Sequence, residues 1–155
     1  MNRLFDGRAT IWLSSLTFAI APSLAVAQQT TTPVGFWSTV SDDDGRPTAI
    51  VEIQRQPDGQ YVGIVRGLLV AATHEDSVCS KCGDERRGQP VVGMTILRHM
   101  RQDGDEWSGG EILDPENGKT YRAKMRLVDG GQKLIVRGYI GVSLFGRSQT
   151  WIRRQ

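Results

Sequence analysis

The feature that most constrains this chain is the regular return of tight-turn residues between short runs of alternating apolar and polar side chains. Asp42-Asp43-Asp44-Gly45, Pro57-Asp58-Gly59, Asp103-Gly104, Asp114-Pro115-Glu116-Asn117-Gly118 and Asp129-Gly130-Gly131 each end one run and begin another. Asn, Asp and Gly tolerate the left-handed backbone of a hairpin connection, and proline presets φ at a turn's first corner. The runs between read as strands: Val34 to Thr39, Thr48 to Gln54, Gln60 to Val70, Val91 to Arg101, Glu106 to Leu113, Tyr121 to Leu127, Lys133 to Ile140 and Ser148 to Arg154. Period two is plainest in the sixth, where Tyr121, Ala123, Met125 and Leu127 face one way and Arg122, Lys124 and Arg126 the other.

Sequential hairpins either open into a sandwich or close into a barrel, and closure removes unpaired sheet edges. The 18 glycines suit a small barrel, whose strands must bend sharply. The expected fold is all-β, an antiparallel up-and-down β-barrel of about eight strands.

The first residues belong to a different class. Arg3 and Arg8 precede a short apolar run from Ile11 to Ile20, Pro22 breaks it, and Ala25-Val26-Ala27 offers a small-x-small cleavage site. This reads as a cleaved signal peptide over residues 1–27, leaving 28–155 as a single exported domain with no stable membrane anchor. Of 19 basic residues Arg3 and Arg8 leave with the signal, and of 17 acidic ones Asp6, so the remainder stand at 17 against 16. Nucleic acid would require a concentrated basic surface, which this balance does not provide.

Chemistry-bearing motifs are sparse. There is no Gly-x-Ser-x-Gly elbow, no His-Glu-x-x-His and no phosphate-cradling glycine loop, so neither catalytic residues nor a cofactor are expected. Cys79 and Cys82 are the only cysteines, and export places them where disulfides persist. A disulfide stapling the 71–90 segment is the leading reading. A redox pair is the second, although the strand-loop-strand setting lacks the helix N-terminus that activates such thiols. A metal site formed by His74, Cys79, Cys82 and His99 is the third. Glu111 shares a period-two face with Trp107, Gly109 and Leu113, which would aim it into the barrel with Arg137 as its partner; a surface glutamate is the alternative, and the preferred one.

Gly35-Phe36-Trp37, together with Trp151 and Arg153-Arg154 at the other end, resembles the lipocalin and calycin superfamily. The resemblance implies that an arginine of the last strand, Arg153 or Arg154, stacks on Trp37 and closes one end of the barrel by a cation–π contact. A fuller set of landmarks is similar to the exported bacterial domain-of-unknown-function family DUF2147. These are the Cys79-x-x-Cys82 pair, Trp107 to Pro115, Asn117 to Tyr121, Leu134 to Tyr139 and Gly146 to Trp151. That resemblance implies an envelope location, hence the periplasm, and a single β-rich domain, and it brings no activity.

Two functions follow from the expected fold. The first is a non-catalytic binding protein for a small apolar or amphipathic ligand, with Trp37, Trp107, Glu111, Tyr121, Met125 and Trp151 facing the interior. The second is a solid, side-chain-filled barrel presenting its loops, with Val142, Leu144 and Phe145 among them, to an envelope protein. An enzyme ranks behind both. A continuous apolar lumen would separate the first from the second.

Overall fold

The computed structural model describes residues 32–70 and 77–155. Among them eight strands follow one another: β1 (Gly35–Val40), β2 (Pro47–Arg55), β3 (Tyr61–Leu68), β4 (Thr95–Asp103), β5 (Glu106–Asp114), β6 (Lys119–Val128), β7 (Lys133–Tyr139) and β8 (Gly146–Arg153). Each pairs antiparallel with the next, and β1 pairs with β8, so the sheet closes into a barrel with no free edge. The signal-peptide segment and His74 lie outside the described residues.

Strand alternation sorts the side chains. Trp37, Val51, Ile53, Val65, Leu97, Ala123, Met125, Leu134, Val136 and Trp151 are buried inside, while Arg122, Lys124 and Arg126 of β6 face outward. The fourth strand starts later than its apolar run suggests. Val91 belongs instead to a small loop hairpin, where its N–H donates to the Ser77 carbonyl at 2.8 Å.

Matched irregularities in β4 and β5 change which residues face inward. On β5 an extra residue sits between Trp107 and Gly110 relative to β6, with Gly109 at φ 74°. On β4, His99 takes φ 60°, a left-handed conformation rare for a residue with a β-carbon. Each bulge shifts the alternation by one position. Trp107 and Gly110 therefore both point inward, and Glu111 and Leu113 point outward.

The bulge also admits a large side chain. A β-carbon at Gly110 would lie 2.4 Å from the Met100 sulfur, so only glycine lets Met100 fill the barrel at this level.

Candidate functional site

The two ends of the barrel differ in construction. At one end the β2–β3, β4–β5 and β6–β7 connections are short, and the chain termini of the barrel meet. There Trp37 is fully buried, donates its indole N–H to the Pro33 carbonyl at 2.8 Å, and lies under the Arg153 guanidinium, 4.3 Å from the ring centroid. Arg153 donates in turn to the carbonyls of Gly131 (2.6 Å), Val34 (3.0 Å) and Thr32 (2.8 Å). Burial lowers its pKa. Register decides which arginine stacks: Arg153 pairs with Trp37 and shares its face, whereas Arg154 points outward and donates to the Ser38 hydroxyl at 3.0 Å. Above this lid Ile53, Leu97, Met100, Trp107, Met125 and Leu134 pack the barrel solid, and Trp107 meets Tyr61 edge-on at 6.0 Å.

The other end is hollow. A cavity of about 990 Å³ opens between the four loops there. Its wall carries Val51, Val65, Ile96, Ile112 and Val136, with Trp151, Tyr121, Tyr139 and Phe145 as its aromatic members. Uncharged polar side chains are interspersed in the wall, and some of them pair with one another. The Thr39 and Thr48 hydroxyls lie 2.6 Å apart, and the Gln149 carbonyl oxygen accepts from the Trp151 indole at 3.4 Å. Charges stand at the rim, on Asp42, Asp43, Lys81, Asp114, Glu116 and Arg147, and Arg147 is ion-paired to Asp42.

The six residues expected in the interior thus separate into three groups. Tyr121 and Trp151 line the cavity. Trp37, Trp107 and Met125 face inward but lie in the packed half. Glu111 is a correction: the β5 bulge turns it outward, where it pairs in register with Arg98 and Arg122. Its expected partner Arg137 also faces outward and donates to the carbonyls of Ser143 and Leu144.

Cys79 and Cys82 form a disulfide with Cα atoms 5.5 Å apart, and both are buried. His99 lies on β4, exposed, 3.1 Å from the Gln60 side chain, so it does not join the cysteines. Sequence reasoning missed what holds their loop. Arg86 is buried and forked onto Asp84, and it also reaches the Thr95 carbonyl (3.3 Å) and the Thr120 hydroxyl (3.1 Å). Hydrogen bonds from Arg86 hold the Asp84 carboxyl down at about 2. Leu113, buried on the outer face, belongs to the same apolar cluster as the two cysteines. The loop's Ser77, Val78, Ser80 and Lys81 then complete one side of the cavity. The signal for this was the Asp84-x-Arg86 spacing, which is too common to read alone.

A barrel closed at one end by a stacked arginine and hollow at the other is a lipocalin-like fold. The solved structure of HP1028 from Helicobacter pylori, described as belonging to the lipocalin family, matches with a TM-score of 0.69 at 16% identity, over 81% of this chain and 85% of that one. The chain itself belongs to the family described as "Uncharacterized protein conserved in bacteria (DUF2147)", whose sequence model matches residues 35–153. No curated protein matches the chain.

Proposed function

We propose that this protein is an exported, periplasmic, non-catalytic carrier that holds one small apolar or amphipathic molecule in the hollow half of its barrel. The observation that carries this reading is the cavity of about 990 Å³, walled by aliphatic and aromatic side chains and open at the loop end. Its size falls in the range of small-molecule sites, and burying apolar surface there is the dominant favourable term. With the aliphatic side chains deep in the wall and the charges at the rim, an amphipathic ligand enters chain first and leaves its head group among the loops.

The test is native mass spectrometry of protein recovered from the bacterial envelope, before and after denaturation. An adduct lost on unfolding supports the carrier; protein that is always bare, and that also fails to take up a solvatochromic apolar dye, overturns it. Val136→Phe adds a ring to the wall of the hollow half, opposite Met125 in the register. It is expected to weaken dye binding at least about tenfold while the chain stays folded.

A further inference from the structure

The β7–β8 loop is unusual in both composition and hydrogen bonding. From Ile140 to Phe145 it carries no charge, yet Ile140, Val142, Leu144 and Phe145 are 68%, 61%, 79% and 72% exposed. Four large apolar side chains in one exposed turn exceed the scatter of single surface hydrophobics.

Its last four carbonyls, from Val142 to Phe145, all have partners. Phe145 N–H donates to the Val142 carbonyl (3.1 Å) and Ile140 N–H to the Phe145 carbonyl (3.3 Å). The remaining tip carbonyls, Ser143 and Leu144, accept from the Arg137 Nε (2.7 Å) and from its second terminal nitrogen (3.1 Å). Arg137 stands on the outer face of β7, so the loop is folded outward as a lip on one side of the mouth.

Water is the usual partner of turn carbonyls. With its last four carbonyls already taken, two of them by an arginine from beneath, and its side chains apolar, this turn loses less on leaving bulk water than one whose carbonyls depend on water. Tyr139 and the ion pair of Arg147 with Asp42 flank the tip, an aromatic and a polar pair where a bilayer's polar zone would lie. The lip is also continuous with the cavity, since Ile140 and Phe145 belong to both.

We infer that the β7–β8 lip docks the barrel onto a lipid bilayer surface, with Val142, Leu144 and Phe145 inserted at the head-group–acyl boundary. Insertion is shallow and reversible and is driven by apolar burial rather than charge. For the carrier proposed above, docking would set the mouth against the membrane, so that an apolar ligand passes without crossing water. The docking itself needs no ligand and is measured without one.

The experiment uses the chain recovered from the bacterial envelope and vesicles of neutral phosphatidylcholine with brominated acyl chains, which quench tryptophan on contact. Trp37, Trp107 and Trp151 are all buried, so they form a quiet background. Relative to the unsubstituted chain, Leu144→Trp is expected to shift to the blue and be quenched. Asp105→Trp, in the β4–β5 turn at the opposite end, is expected to add no quenched signal. A double change, Leu144→Asp with Phe145→Asp, is expected to lower vesicle partitioning at least about tenfold, because each apolar side chain loses its burial. Arg137→Met, which strips the cap but keeps the tip, is expected to weaken it too.

The inference is overturned if the tryptophan at 144 stays unquenched, or if the probe at 105 is quenched equally. A probe silent on vesicles but buried by a co-purifying envelope protein also overturns it and assigns the lip to that partner. Dye uptake by the lumen, measured without vesicles, tells failure of docking from failure of the carrier.

Discussion

Trp37 and Trp107 are both buried indoles, yet their surroundings differ. Trp37 has an acceptor for its N–H and a cation on its face. The Trp107 N–H is buried and has no hydrogen-bond partner among the described residues. A hydrogen bond contributes about 1 kcal/mol net and a stacked cation about 0.5–2. Trp37→Phe is therefore expected to lose about 1–3 kcal/mol. Trp107→Phe removes an unsatisfied donor along with some ring surface, so the two effects oppose and the change should stay within about 1 kcal/mol. Urea melts of the two variants check this, and equal losses would sink the distinction. At this scale Trp37 was legible, because Gly-x-Trp with a terminal arginine is a recognisable pair. The choice between Arg153 and Arg154 was not, since it depends on the register of β8 against β1.

The cysteine loop is the element whose role changes most once the fold is known. The disulfide closes a loop so short that its entropic contribution is about 2 kcal/mol. Arg86 and its partners, and the docking of the β5–β6 turn, do the rest. A β-carbon at Gly118 would lie 2.0 Å from the Lys81 carbonyl oxygen, and Gly118 has φ 73°, so Gly118→Ala is expected to displace the loop. Limited proteolysis between residues 77 and 94 should report the displacement while the barrel survives. Acid should loosen the same contact. Asp84 is depressed to about 2 from its ordinary 3.8, so its contribution is fully present above about pH 4 and fades as pH falls toward 2. Amide exchange in the loop, followed from pH 5 to 2, is the measurement, and unchanged protection of the loop would contradict it. Both sulfurs are buried, at 0% and 1% exposure, so a mild reductant should open the disulfide only when the loop opens. Thiol titration with and without denaturant tests that; rapid reduction of the native protein would revive a redox role.

For the whole molecule the consequence of a half-hollow barrel is ligand linkage. A ligand that binds only the folded state stabilises it by about 2.7 kcal/mol at a hundred times its Kd. Protein stripped by denaturation and refolding should therefore melt several degrees below protein taken directly from the envelope, and adding back the extract should restore the Tm. An unchanged Tm would argue against an occupied lumen. The sequence by itself determined the eight strands and their order, because hairpin turns and period-two patterning are local properties written at each position; closure, the expected outcome, is made by the pairing of β1 with β8, which joins the two ends of the chain's sheet. The sequence also marked Tyr121 and Trp151 as interior. Only the tertiary structure decided that Glu111 faces outward, because the Gly109 bulge changes alternation through pairing with β6. Only the structure divided one apolar face into a packed half and a hollow half. Alternation tells which side of a strand a residue occupies; whether space remains there depends on what seven other strands place at the same height.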